Sequence, residues 1–312
     1  MSVPSLKELR TGGKAALARA LAAIETEANS SALAKLLDEA CANPKGHILG
    51  LTGTPGVGKS TLINALIARA RTADKTIAVI AVDPSSKATG GALLGDRARM
   101  TTDPDDKGVF VRSMAARDRL GGISNETIAA AVLMRALYDR VIVETVGVGQ
   151  SESDIAGIAD TVLLCIQPGA GDSLQFMKAG VMELPDVVAV TKGDLGASAR
   201  RARADVEGAL GLSARGEWHA PVVTITATTG DGLDQLDEAI AGHAAFLAGN
   251  HRHEKKLKAQ ESSWVEEAIK ARFGSEGLAA ARSLTVKAAG PFSREAALAE
   301  VLKRRLFPLT RE

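Results

Sequence analysis

The sequence has little cysteine, few aromatic residues and no excess of either charge. Its 312 residues include two cysteines, and aromatic residues make up 3%. Cys41 and Cys165 are too few for a disulfide framework, and neither has a partner at metal-ligand spacing. So few rings do not favour stacking on single-stranded nucleic acid. Lys and Arg number 38 against 37 Asp and Glu, which gives a net charge of +1, so we expect no nucleic acid partner.

Long apolar runs are also missing. The N-terminal segment has no apolar stretch typical of a signal peptide, and the longest apolar runs have strand length rather than the roughly 18 residues of a membrane span. We therefore expect a cytoplasmic protein without a membrane partner. The hydrophobic share of 46% is enough to bury a full core, which must be aliphatic.

Hydrophobic periodicity divides the chain into three parts. Residues 1–45 are rich in Ala and Leu, and they predict an N-terminal helical extension with a second helix over Ser31–Ala42. In residues 46–248, short Val/Ile/Leu runs alternate with helical stretches, which is typical of a doubly wound α/β domain with a mostly parallel sheet. The predicted strands are Ile48–Thr52, Ile77–Val82, Val109–Val111, Val141–Glu144, Val162–Ile166, Val187–Thr191 and Val222–Thr226, and the helices between them include Lys59–Arg71, Asn125–Tyr138, Ala197–Leu210 and Leu233–Leu247.

Residues 249–312 contain no strand-like run and are predicted to be helical. A polar linker over 250–256 leads into three expected helices, Glu254–Arg272, Gly277–Val286 and Arg294–Leu306. His251 and His253 form an isolated pair in this linker, and we expect both to be solvated.

A complete P-loop motif follows the first predicted strand. Gly53-Thr54-Pro55-Gly56-Val57-Gly58-Lys59-Ser60 fits GxxxxGK[ST], is followed by Thr61 and opens a helix, which is the context that the motif requires. Its glycines allow backbone N–H groups to point at phosphate oxygens, and the helix N-terminus adds positive potential. We expect Lys59 to reach the β- and γ-phosphates and the Ser60 hydroxyl to bind Mg²⁺.

Carboxylates are predicted at the same sheet edge. Glu144 ends one strand and can hold Mg²⁺ through water, although many GTPases have Asp there. Gly147 can offer its N–H to a γ-phosphate, and Gln150 is the nearest glutamine that could act on water. Asp83 directly follows the second strand, at the edge where open α/β sheets bind ligands, which makes it a further candidate metal ligand. Asp96 lies in a polar stretch suited to a nucleotide-sensing switch, with a helix cap as its alternative role.

A second motif predicts the base. Thr191-Lys192-Gly193-Asp194 matches the [NT]KxD motif of GTPases. A carboxylate at Asp194 would accept two hydrogen bonds from guanine that adenine cannot supply, and Lys192 would lie over the base plane. Thr226-Ala227-Thr228 ends the next strand, where the N–H of Ala227 could contact guanine O6. The expected ligands are GTP and GDP.

Together these motifs resemble the methylmalonyl-CoA mutase-associated GTPases of the MeaB/ArgK type. The resemblance covers about residues 5–250 and includes GxPGVGKST, AVDPSS, ETVGVGQSE and the TKxD segment. It implies a GTP-hydrolysing chaperone that gates cofactor loading and protects or reactivates an adenosylcobalamin-dependent acyl-CoA mutase, acting on methylmalonyl-CoA, 2-hydroxyisobutyryl-CoA or a related substrate. It also implies contact with the mutase's cobalamin-binding domain and a homodimer formed through the C-terminal helices.

The resemblance further assigns two switch segments and one additional loop. Asp83 and Asp96 would belong to the first switch, Glu144–Glu152 would form the second, and Pro168–Lys178 would form a partner-sensing loop. Usual members of this family have Asn where this chain has Thr191, and Ser where it has Thr226.

Three other function classes share the P-loop. A small-molecule kinase is one alternative, although the TKxD segment is not expected in it. A metal-insertion GTPase would need a Cys/His ligand cluster that the sequence lacks. A partitioning or targeting ATPase is disfavoured by Asp194. Preference for GTP over ATP separates the GTPases from the other two classes.

Overall fold

A computed structural model describes residues 3–26, 30–83, 100, 102–103, 105–115, 123–145, 154–169, 185–213 and 217–306. The strands are β1 (His47–Gly53), β2 (Ile77–Asp83), β3 (Val109–Ala115), β4 (Arg140–Glu144), β5 (Thr161–Ile166), β6 (Val187–Val190) and β7 (Val222–Thr224). The helices are α1 (Leu6–Thr26), α2 (Ser31–Ala42), α3 (Lys59–Thr72), α4 (Asn125–Arg135), α5 (Ala197–Ser213), α6 (Leu233–Ala248), α7 (Arg252–Arg282) and α8 (Pro291–Leu306).

The seven strands form one parallel sheet in the order β3-β2-β4-β1-β5-β6-β7. Every residue of β2 and β5 is buried, as expected for aliphatic strands that are covered on both faces. Helices α3 and α6 pack on one face through side chains such as Leu62 and Leu236, and α1, α2 and α4 pack on the other. The predicted doubly wound parallel sheet is therefore confirmed.

Two predicted strand ends are wrong for identifiable reasons. Strand β3 continues to Ala115 rather than Val111, because it pairs with β2 along its whole length. It is the edge strand, so partly exposed residues such as Arg112 and Ser113 are tolerated there, and the apolar run understates its length. Strand β7 ends at Thr224, because Thr226 leaves the ladder and its N–H donates to the carbonyl of Asp231 in a tight turn.

Helix α7 reverses direction at Gly274, whose φ is 70° and ψ −173°. The side chains of Glu266 and Arg282 are 2.6 Å apart, whereas sixteen residues of straight helix would separate them by about 24 Å. The two segments correspond to the first two helices predicted in this region. The second ends at Arg282 rather than Val286.

The predicted polar linker over 250–256 is wrong. A 3-10 turn over Gly249–His251 leads directly into α7 at Arg252. The polar residues here form a helix whose inner side meets a buried carboxylate: His253 Nε2 lies 2.9 Å from Asp160 Oδ1. His253 is therefore not a solvated linker residue, whereas His251 is exposed.

The N-terminal and C-terminal helices are joined to each other. The Asp38 carboxylate of α2 accepts hydrogen bonds from the backbone N–H groups of Phe292 (2.9 Å) and Ser293 (3.2 Å) in the first turn of α8. A carboxylate at this position satisfies N–H groups that have no partner within the helix. The division of the chain at residues 45 and 248 remains a prediction. Within the described part of the chain, no helix has the length and apolar character needed to cross a bilayer.

Candidate functional site

The P-loop joins β1 to α3 and depends on its glycines. Gly53, Gly56 and Gly58 have φ angles of 143°, 77° and 102°, which side-chain-bearing residues rarely adopt. At Gly53 a Cβ atom would also lie 2.4 Å from the carbonyl oxygen of Cys165 on the neighbouring strand β5. The glycine spacing of the motif is therefore required by this backbone path.

Lys59, the first residue of α3, lies against the loop. Its ammonium group donates to the carbonyl oxygens of Gly53 (2.7 Å) and Thr54 (3.3 Å), and the residue is buried. Val57 is fully buried in the core, so its side chain is not available to a ligand. Pro55, Gly56 and Thr61 are exposed, whereas Ser60 is partly buried in the first turn of α3.

Two carboxylates meet the loop at the carboxyl edge of the sheet. Glu144 is the last residue of β4 and lies opposite Leu51 of β1 and Ala81 of β2. Asp83 is two residues beyond Ala81, so Asp83 and Glu144 share one face of the sheet. Ala81 and Leu51 pack in the core beneath α3. Both carboxylates, 2% and 3% exposed, therefore lie on the face that carries Lys59 and Ser60.

Part of the predicted site lies outside the described residues. These candidates are Asp96, Gly147 and Gln150, together with residues 84–99 of the first predicted switch and 146–152 of the second. Of the predicted partner-sensing loop, only Pro168 and Gly169 are described.

The TKxD segment is tied to the P-loop. The Thr191 hydroxyl donates to the carbonyl oxygen of Val57 at 2.8 Å, so the residue that replaces the usual Asn contacts the loop directly. The N–H of Gly193 donates to the carbonyl of Ile225 at 2.9 Å, which places the segment beside β7. Asp194 is exposed in a 3-10 turn at this edge.

Lys192 has a partner that the motif does not reveal. Its backbone is left-handed, with φ 53°, and its ammonium group donates to Gln167 Oε1 at 2.6 Å. Gln167 directly follows β5 and precedes Pro168, where the predicted partner-sensing loop begins. No local signal identifies Gln167, because the contact joins residues 25 positions apart.

Thr226, Ala227 and Thr228 begin a tight turn next to Asp194. Thr226 is buried, and a Cβ atom on Gly193 would lie 3.0 Å from its hydroxyl oxygen. The Thr229 hydroxyl donates to Asp231 at 2.6 Å within the same turn. The fold therefore brings the two predicted base-binding segments together.

Salt bridges link the helices behind the two halves of the site. Arg69 of α3 pairs with Asp234 (2.5 Å) and Asp237 (2.7 Å) of α6, and Arg140 of β4 pairs with Asp237 at 3.1 Å. Helix α3 begins at the P-loop, and α6 follows the Thr226 turn. Sequence analysis does not find these pairs, because each partner is more than 90 residues from the other.

Comparison with known proteins agrees with this geometry. The family model described as methylmalonyl Co-A mutase-associated GTPase MeaB matches residues 17–281. The chain belongs to this family. It is a P-loop GTPase, and the predicted family resemblance is confirmed.

Individual relatives span most of the chain. A Pyrococcus horikoshii protein named as a GTPase is 41% identical over 276 residues, covering 85% of this chain and 83% of its own. GTPase ArgK of Escherichia coli is 36% identical, covering 87% and 86%. A crystal structure titled LAO/AO transport system kinase matches with a TM-score of 0.69 and 28% identity, covering 96% of both chains.

Proposed function

We propose that this MeaB-family GTPase is a chaperone of an adenosylcobalamin-dependent acyl-CoA mutase. In this proposal it gates cofactor loading and protects or reactivates the mutase, and it contacts the mutase's cobalamin-binding domain. The observation that carries the proposal is the family match over residues 17–281, because the family's description names methylmalonyl-CoA mutase and the match extends into both helical regions.

In the proposed mechanism the P-loop and Lys59 hold the phosphates. Backbone N–H groups from Gly53 to Thr61 surround the β-phosphate at the N-terminus of α3. The Lys59 ammonium group, which lies on the loop carbonyls, exchanges those contacts for β- and γ-phosphate oxygens. The positive charge then offsets the negative charge that develops during phosphoryl transfer.

The residues beside the loop fit Mg²⁺. Ser60, Asp83 and Glu144 offer only oxygen atoms, the donors that this hard cation prefers. The two buried carboxylates share the sheet face on which α3 packs. Glu144 and Asp83 would act through bound water and Ser60 directly. When bound, the ion supplies charge neutralisation at the β- and γ-phosphate oxygens.

Base selection is assigned to the two turns that meet beside β7. Asp194 accepts two hydrogen bonds from the guanine ring, Lys192 covers the base, and the N–H of Ala227 between Thr226 and Thr228 meets O6. An adenine would leave the Asp194 carboxylate without donors, which favours guanine. Contact of Thr191 with Val57 supports this assignment, because it fixes the base segment relative to the phosphate loop.

Partner control is assigned to loops at the same edge. Asp83, Glu144 and Pro168 all stand at or just beyond strand carboxyl ends, so segments that start there can respond to the γ-phosphate and to a protein together. Gln150 is the candidate that positions water. The C-terminal helical region, residues 249–312, is proposed to form a homodimer.

A titration of the mutase tests the chaperone role. The GTPase is loaded with GDP or with a non-hydrolysable GTP analogue, and its affinity for the mutase is measured in each state. Because coupling is reciprocal, a mutase that changes nucleotide turnover must bind the two states with different affinities. Equal affinities, or no binding of either state, would contradict the proposal.

Phosphoryl transfer to a small molecule is the competing function, because one matching crystal structure carries a kinase title. A kinase would consume the nucleotide only when an acceptor is present. Release of inorganic phosphate from GTP without any acceptor, and its stimulation by mutase, would favour the chaperone. A metal-insertion GTPase is the third possibility, and it is tested in buffers that contain Mg²⁺ as the only metal ion. GTP hydrolysis and mutase binding under these conditions would favour the chaperone over metal insertion.

A further inference from the structure

A short segment behind the P-loop strand is held by another element's side chains. It comprises Ile155–Asp160 and begins with a 3-10 turn over Ile155–Gly157. Such a turn leaves carbonyl oxygens without partners of its own. Four of these carbonyls, those of Ala156, Gly157, Ala159 and Asp160, accept hydrogen bonds from side chains of α7.

The donors form a regular stripe along α7. Lys256 Nζ donates to the carbonyl of Asp160 at 2.7 Å, Gln260 Nε2 to those of Ala156 and Ala159 at 3.0 Å each, and Trp264 Nε1 to that of Gly157 at 2.7 Å. Residues four apart lie on one helix face, so these three side chains bind four carbonyls of one short segment. We call Lys256, Gln260 and Trp264 the α7 clamp.

Charged contacts hold the C-terminal end of the segment, at Asp160. The Asp160 carboxylate is fully buried and accepts hydrogen bonds from His253 Nε2 and Arg135 Nη2, both at 2.9 Å, and from the N–H of Ile48 at 2.7 Å. Burial raises the pKa of this carboxyl, but hydrogen bonding to His253 and the charge of Arg135 outweigh it and lower the pKa to about 2. The segment is thus bound to α7 and to β1 at once.

Direct packing connects the segment to the P-loop strand. At Gly50, in the middle of β1, a Cβ atom would lie 2.4 Å from Ile155 Cγ1 and 2.8 Å from the Ala159 side chain. The segment therefore lies flush against β1, three residues before the P-loop begins at Gly53. In the sequence, the same segment begins shortly after the second predicted switch, Glu144–Glu152.

We propose that Lys256, Gln260 and Trp264 are positioning residues for the GTPase site. By fixing Ile155–Asp160 against β1, the α7 clamp holds the strand that leads into the P-loop. Lys59 follows this loop and is proposed to contact the γ-phosphate, so a shift of β1 changes the binding of GTP more than the binding of GDP. This inference needs only the GTPase activity and holds whichever protein is the partner.

Matched variants of one helix test the clamp in the full-length protein. Gln260→Leu and Trp264→Phe remove the donors and keep most of the side-chain volume, and Lys256→Met removes a clamp ammonium group. Lys258→Met is the control, because Lys258 lies on the same helix, is exposed and pairs only with Glu254 among the contacts described. The measurements are the dissociation constants for GDP and for a GTP analogue, kcat and KM for GTP, and thermal unfolding.

We expect each clamp variant to lower the affinity for the GTP analogue more than the affinity for GDP. The ratio of the two dissociation constants should change by roughly threefold to tenfold. The kcat should fall while KM for GTP changes little. Lys258→Met should behave as wild type in both assays. A purely structural role would lower the unfolding temperature without altering the ratio. A ratio and kcat within twofold of wild type in folded Trp264→Phe and Gln260→Leu would overturn the proposal, whereas failure of mutase binding would leave it untouched.

Discussion

The two edges of the sheet carry polar residues of different kinds. The carboxyl edge carries the P-loop, Asp83, Glu144 and the TKxD segment, which together form the candidate nucleotide site. At the amino edge, His47, Thr161 and His243 form a hydrogen-bonded chain. Asp160 and Asp186 lie 3.7 and 3.2 Å from its imidazoles, and helix α7 contacts both carboxylates through His253 and Lys256. The first edge offers groups to a ligand, whereas the second satisfies its groups internally.

The amino-edge chain is centred on the Thr161 hydroxyl. His243 Nδ1 and His47 Nε2 are each hydrogen-bonded to the Thr161 hydroxyl at 2.8 Å, and His243 Nε2 lies 3.2 Å from Asp186 Oδ1. Burial lowers the pKa of both imidazoles, that of His47 to about 4. A satisfied chain of this kind fixes the fold rather than serving chemistry.

The sharpest difference between the edges should appear with Lys59→Ala. Loss of the ammonium group should reduce GTP hydrolysis by roughly 10² to 10³-fold or more, because it acts where charge develops. Thermal unfolding should change little, since the hydrogen bonds that Lys59 makes to described residues go to the loop carbonyls of Gly53 and Thr54. Phosphate release and an unfolding curve, measured on the same sample, check both halves. Hydrolysis at the wild-type rate by the folded variant would contradict the assignment of Lys59 and the P-loop to phosphate binding.

Asp160→Ala should give the reverse pattern at the amino edge. It leaves Arg135, whose side chain is 7% exposed, without its carboxylate, and breaking such a buried pair costs about 3–5 kcal/mol of unfolding free energy. Urea denaturation gives this value. The matched control is Asp106→Ala, which removes a partly exposed partner of Arg71 and should cost much less, because exposed ion pairs are screened by solvent. Equal losses in the two variants would show that the amino-edge network does not hold the fold.

Asp194→Asn should change which base binds at the carboxyl edge. The amide can donate to the 2-oxo group of xanthine, so preference should move from guanine toward xanthine nucleotides. GTP affinity should fall by about 2–3 kcal/mol, the cost of a lost charged hydrogen bond. Competition between GTP and XTP measures the change. A variant that binds GTP as tightly as wild type would show that Asp194 does not read the base.

Low pH should reduce the free energy of unfolding through His47 at the amino edge. An unfolded His47 takes up a proton near pH 6.5, but the folded one does so only near pH 4. The unfolded state therefore binds more protons between these values, and stability falls as the pH drops through this window, by up to about 3 kcal/mol. Unfolding free energies at pH 7 and pH 4.5 measure the loss. His47→Gln keeps a donor to Thr161 without titrating, so it should flatten the dependence, and an unchanged slope would contradict the assignment.

The sequence predicts the carboxyl edge better than the amino edge for a physical reason. Phosphate and guanine impose fixed spacings on neighbouring residues, so Gly53–Ser60 and Thr191–Asp194 can be recognised locally. Asp160 meets His253 across 93 residues, and nothing near either residue signals the contact. The start of helix α7 at Arg252 and the contact of Gln167 with Lys192 were not predicted for the same reason, because both depend on residues that are distant in the sequence. Aliphatic runs predicted the buried strands, but the edge strand β3 only in part.

Nucleotide selectivity tests the account most directly. Calorimetric titration of the wild-type protein with GTP and with ATP, each with Mg²⁺, measures the dissociation constants of the two nucleotides. The account predicts that GTP binds at least about 100-fold more tightly, because adenine leaves the Asp194 carboxylate without donors. Equal affinity for the two nucleotides, or tighter binding of ATP, would contradict it.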